Sequence, residues 1–349
     1  MTQHTSTGMG AMSMGGAAMM DCKGDPDGVP ERQGNTQGHV LPGIIFLIWA
    51  THWLISASWR HIMAQRSGRH YQARSSEGLL PMIPALNGFN RFPVESLLKA
   101  IGGILLFVLQ ITYGSYKNLV CPADELRKGR LVTQHLNSWA HASMNLGFSL
   151  SGFVDLLSAH SKLPQGTNLA VLSGAFLIEA MLFSMHEKNG HLDQTIHWLL
   201  AQTCWAGAIF AALEAAFPES FLLTVGRAGS MLLQGTWFCQ TAAVLFGGSM
   251  IWNDTGMDMS GNMVEDEAPA MFLPMIFTYH MLLVTIFMVV VYAVLESFSR
   301  RITHGNVEAS NGSPSFGGFE TSRLLSEEPI TEHGVMMTPI TAVQYGLRK

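Results

Sequence analysis

Apolar residues along this chain gather into seven runs, near 41–59, 95–117, 136–158, 167–187, 193–217, 226–250 and 271–297, with short polar segments between them. A helix needs roughly 20 residues at about 1.5 Å each to cross a hydrocarbon core, so the pattern predicts seven transmembrane helices. Each helix satisfies its own backbone hydrogen bonds in lipid. Connections as short as 159–166 and 188–192 make sequence neighbours antiparallel. The expected fold is all-α, a seven-helix transmembrane bundle over 39–301, in which the third run, "LNSWAHASMNLGFSLSGFVDLLS", is the least apolar. Residues 1–38, rich in Met, Gly and Ser, and residues 302–349 hold too little apolar surface to bury and are expected to be disordered tails.

Composition supports a membrane class. The chain has 349 residues, 48% hydrophobic and 13% charged, which excludes a string of soluble domains and makes the lipid bilayer its first expected partner. Its net charge is −5, with no block of Lys or Arg, so nucleic acid is not an expected partner. Cys22, Cys121, Cys204 and Cys239 are too few and too scattered for a disulfide scaffold.

Orientation follows from the basic residues. Arg60, Arg66, Arg69, Arg74 and Arg91 lie between the first two runs and Arg300 and Arg301 follow the last, whereas the loop at 253–267 has five acidic residues and no basic one. The positive-inside rule then puts the N-terminus outside and the C-terminus in the cytosol. Trp139, Trp198, Trp237 and Trp252 near span ends are expected at the membrane interface.

Against this frame the intramembrane polar residues sort by depth. His141, His186, His197 and His280 all fall in the outer half, joined by Glu179, seven residues before His186 and so on the same helix face. On the third helix His141, Asn145, Ser149, Gly152 and Asp155 make a polar stripe expected to face the bundle interior. Asp155, Glu214 and Glu95 fall near the inner face, as the inner part of a polar path. Ionisable groups in a membrane mark function unless they are compensated. Imidazoles with a carboxylate suit zinc or copper, with Glu179 as a further ligand or a general base. A purely structural or proton-handling network fits the same residues, and the helix-borne His-Glu-x-x-His signature is absent.

Two further patterns lie outside the spans. Met9, Met12 and Met14 in the N-terminal tail and Met257, Met259 and Met263 in an outer loop offer thioethers suited to Cu(I) capture. Glu320, Leu324 and Leu325 match an acidic dileucine pattern, which in a cytosolic tail is read by clathrin adaptors and directs a protein between the Golgi, endolysosomal and plasma membranes.

The segments "GHVLPGIIFLI", "SWAHASMNLGFSLSGFVDLLS", "FLIEAMLFSMHEKNGHLDQTIHWLL", "LLQGTWFCQTAAVLF" and "MFLPMIFTYH" resemble, in order, the transmembrane protein 45 family. That resemblance implies a seven-span membrane protein of unsettled biochemical activity. His39, Glu95, His141, Asp155, Glu179, His186, Asp193, His197, Glu214, Gln234 and His280 match the family pattern. Three functions remain open on sequence: a metal-dependent membrane enzyme, a copper or zinc binding or transport protein, and a trafficking or scaffold protein with a structural polar core.

Overall fold

A computed structural model of the chain describes residues 36–78, 92–112, 119–121, 128–185, 190–257, 259–261 and 263–311. These hold seven α-helices: α1 (Thr36–Ser67), α2 (Val94–Thr112), α3 (Thr133–Ser158), α4 (Thr167–Met185), α5 (Gly190–Ala216), α6 (Phe221–Phe246) and α7 (Ala268–Asn311). Every expected span lies on one of them. The largest differences are at the first and last. α1 runs on through Arg60 and Arg66 to Ser67, and α7 continues past Arg300 to Asn311, because apolar periodicity measures the membrane while polar helix formers extend a helix beyond it. Residues 1–300 form one compact unit, and 301–349 are a second, of which the described part is the end of α7.

Five helices, α1, α2, α4, α5 and α7, are long and apolar enough to cross a membrane. The other two fall short for a shared reason. α3 carries the polar stripe, and α6 buries Thr224, Arg227, Ser230, Gln234 and Thr241 within the protein, so their polar residues are shielded by neighbours. Packing proceeds from α2 to α3, α4, α5, α6 and then α1. The stripe on α3 therefore faces α2: Ser149 Oγ donates to the carbonyl of Ala100 at 2.6 Å, and Asp155 meets groups at the start of α2.

Glycine brings α1 and α6 together. A Cβ on Gly43 would lie 2.8 Å from Cys239 Sγ and 3.0 Å from the carbonyl of Gly235, and one on Gly235 would lie 2.9 Å from the carbonyl of Gly43. α7 is attached by side chains: Phe277 stands edge-on to Trp237 at 4.8 Å, and Arg66 of α1 donates to the carbonyl of Ser299 at 2.7 Å. Trp237 is fully buried, with Nε1 donating to the carbonyl of Ile196 at 2.9 Å, which corrects the expectation of an interfacial anchor. Its indole N–H finds a partner inside the bundle, so it has no need of the headgroup region. Between α6 and α7 a short antiparallel hairpin pairs β1 (Thr255–Met257) with β2 (Met263–Glu265).

Candidate functional site

Polar residues collect at two ends and one central point of the bundle. Because the helices alternate in direction, the end of α3, the start of α4, the end of α5 and the start of α6 lie together with the end of α1 and the start of α2. This is the carboxylate end. The opposite end carries the histidines.

At the carboxylate end, residues 71–78 form a strap after α1. Asp155 accepts from Ser75 Oγ and Ser76 Oγ, each at 2.5 Å, from Asn168 Nδ2 at 3.2 Å, and from the buried ammonium of Lys99. Glu95 accepts from Trp53 Nε1 at 2.7 Å, Trp49 Nε1 at 2.9 Å and the backbone N–H of Glu77 at 2.7 Å. Glu214 is paired with Arg227, both side chains wholly buried, and accepts from Thr224 Oγ1 at 2.5 Å. Arg227 also donates to the carbonyl of Arg74 in the strap at 2.9 Å and lies over the ring of Trp53 at 4.1 Å. Tyr71 Oη donates to Thr224 at 3.0 Å, and burial pushes the Tyr71 phenol up, so it stays a donor. A cavity of about 390 Å³ opens beside the strap, lined by Ser75, Ser76, Glu95, Asp155 and Asn168 among others.

The three expected residues of the inner path are thus found at one end, each neutralised and hydrogen-bonded. They tie the strap to the helices. Along α6, Gln234 is seven residues and so about 10 Å from Arg227, and the buried residues between them include Ala228 and Met231.

At the histidine end His197 is buried, with Nδ1 2.9 Å from the carbonyl of Asp193 and 2.6 Å from its Oδ1. A proton on Nδ1 suits the Asp193 carbonyl, which ties the ring to its own helix. The ring of His39 stands edge-on to that of His197 at 6.0 Å. Phe183 lies between the two sides of this region, 6.1 Å from the ring of His141 and 6.5 Å from that of His197. His280 instead packs edge-on to Trp237 at 5.5 Å. Asn145 donates to the carbonyl of His141 rather than to its ring. Among the described residues no group of three or more His, Cys, Asp and Glu is arranged to hold a metal ion. His186 lies outside the described residues.

Glu179 does not join the histidines. It is 2% exposed, one turn below Phe183, and its polar neighbours are Gln234 of α6 and Cys204 of α5. Glu179 Oε2 and both amide atoms of Gln234, a residue 0% exposed, make no hydrogen bond among the described residues.

Met257 and Met259 are exposed, and Met257 is the register partner of Met263 across the hairpin. Met9, Met12, Met14, Glu320, Leu324 and Leu325 lie outside the described residues. Lys99 and Arg227 are the principal residues that sequence reading passed over, and His39 entered it only as a match to the family pattern. The signal for the first two was present, since each is a cation within or beside an apolar run.

Comparison with known proteins agrees with this class. Residues 165–293, from just before α4 into α7, match a family described as "Family of unknown function (DUF716)". The chain is 23% identical to mouse (Mus musculus) "Transmembrane epididymal protein 1A" over 167 residues, which are 46% of this chain and 52% of that protein. It therefore spans about half the length of the curated relative it matches. By its apolar helices and these likenesses, the chain is a multi-pass integral membrane protein similar, over its last four helices, to a family of unknown function.

Proposed function

We propose that this membrane protein binds a transition-metal ion, zinc or copper, at the histidine end of the bundle. The observation that carries the reading is the Asp193–His197 pair: a carboxylate oxygen 2.6 Å from Nδ1 holds the ring in place, as the outer partners of metal-bound histidines do. His39, 6.0 Å away ring to ring, is the second ligand, and His141 on α3, which shares Phe183 as a neighbour with His197, is the next candidate. Thioethers at Met257 and Met259, exposed on the hairpin next to this end, favour Cu(I) over zinc as the ion first captured. The orientation that goes with the reading is N-terminus outside and C-terminus in the cytosol.

Metal analysis of the purified full-length chain tests it. The expected result is a stoichiometric ion that is lost in His197→Ala and held roughly 10–100-fold more weakly in Asp193→Asn. A folded chain without a stoichiometric ion overturns it.

The second reading is a trafficking or scaffold protein whose polar core is structural. The fully satisfied carboxylates at the other end favour it, since groups that spend all their acceptors on the protein have none left for a ligand.

A further inference from the structure

The least satisfied polar groups in the membrane interior are at the centre of the bundle. Glu179 on α4 and Gln234 on α6 are 2% and 0% exposed, and one turn along each helix the rings of Phe183 and Phe238 meet at 5.7 Å, which puts the two side chains on facing surfaces, with buried Cys204 of α5 beside Glu179. No Lys or Arg pairs with Glu179 among the described residues. A carboxylate in such a place is costly, because a charge taken from water without a partner loses several kcal/mol of hydration. The other buried carboxylates, Asp155, Glu95 and Glu214, have an ammonium, indoles or a guanidinium at bonding distance. Glu179 has an amide. That difference is chemical.

A primary amide offers one donor and one acceptor side by side. An ionised carboxylate only accepts, so it can use the Gln234 N–H₂ and leaves the Gln234 carbonyl facing negative charge. A carboxylic acid matches both: its O–H donates to Gln234 Oε1 while its carbonyl accepts from Gln234 Nε2. The one protonation state of Glu179 that satisfies every orphaned atom of the pair is the neutral acid. Cys204, the third group beside Glu179, gives its S–H to the carbonyl of Leu200 at 3.5 Å and so has no proton left to offer the carboxyl.

We propose that Glu179 and Gln234 form an intramembrane proton-binding site, with the proton on Glu179 Oε2 donated to Gln234 Oε1. The site does not need the metal proposed above and is separated from the histidines by Phe183, whose ring lies between Glu179 and the level of His141 and His197. The titratable groups toward it are Cys204 from α5 and, beyond Phe183, His141 from α3 and His197 from α5, two turns from Cys204; α6 contributes the uncharged Gln234. When the proton leaves, the carboxylate formed is a negative charge at bilayer depth that only another cation can neutralise. The proton on Glu179 is therefore exchangeable against a cation reaching the same pair.

Infrared difference spectroscopy of the full-length chain in lipid nanodiscs, wild type against Glu179→Gln, tests this at neutral pH. The expected result is a carbonyl band of a protonated carboxyl that shifts in D2O, is lost in Glu179→Gln and moves in Gln234→Leu, where its hydrogen-bond partner is gone. Carboxylate stretching bands in its place, lost in the same variant, overturn the proposal. If Glu179→Gln fails to fold, a membrane-soluble carbodiimide, which attacks protonated carboxyls, is applied to the wild type and the modified peptides are mapped by mass spectrometry. Modification of Glu179 supports the site; modification of other carboxyls with Glu179 untouched overturns it. Metal content is read on the same samples, so a chain that carries no ion but shows the band refutes the metal reading and leaves the proton site standing.

Discussion

Arg227 on α6 and Glu214 on α5 are ion-paired with both side chains wholly out of contact with solvent. A pair so placed stabilises little compared with a well-packed apolar pair, yet each partner is indispensable to the other. Glu214→Ala leaves a buried guanidinium uncompensated and is expected to cost about 3–5 kcal/mol. The double replacement Glu214→Leu with Arg227→Met should recover much of that loss. Thermal unfolding in detergent measures both, and a single variant as stable as the double one would show that the pair is not closed to water.

The contact of Gly43 with Gly235 makes a second expectation. A Cβ at 235 would meet the carbonyl of Gly43 and the backbone N–H of Leu47, each at 2.9 Å. Backbone does not yield as a flexible side chain does, so Gly235→Ala should push α1 from α6 and cost about 1–3 kcal/mol. Gly102→Ala is the control, because a Cβ there meets nothing within 4 Å. Equal unfolding temperatures for the two variants would contradict the close approach.

Topology is read by chemistry as well as by tags. Cys121 is disulfide-bonded, whereas Cys204 and Cys239 are free. Disulfides persist on the non-cytosolic side of a membrane, so the orientation expected from the basic residues requires the loop that holds Cys121 to lie on that side. Mass spectrometry with and without reduction should find Cys121 in a disulfide and Cys204 and Cys239 as free thiols. Tags near residues 5 and 345 should report opposite sides of the membrane. Both tags on one side would remove the seven-span arrangement.

Much of the fold was legible because the membrane imposes a length on apolar runs, and each expected span found its helix. What depth alone did not give was azimuth. Asp155, Glu95 and Glu214 lie at one end of the bundle, but several of the donors that hold Asp155 and Glu95, from Ser75, Ser76 and the backbone of Glu77, sit in a polar loop with no periodic signal. Glu179 was grouped with the histidines because 179 and 186 share a helix face. The structure turns it toward Gln234 and Cys204 instead, since which neighbour a face meets depends on the packing of α4 against α5 and on the position of α6. Trp237 failed for a simpler reason: it stands near the middle of the run 226–250 rather than at its end, and the contact with Ile196 shows that it points inward.

The strap at 71–78 emerges from the ribosome before every helix it is tied to except α1. Its serines wait for Asp155, its Arg74 carbonyl for Arg227, and the N–H of Ala73 for the carbonyl of Pro218. During synthesis, then, this segment has Arg60 of α1 as a partner from the start, through Glu77 and the carbonyl of Gln72, but its last bonds, to Pro218 and Arg227, wait until the chain has been made into α6. It is seated last among the elements it joins, and a protease that cuts the strap would distinguish a bundle still being assembled from a finished one.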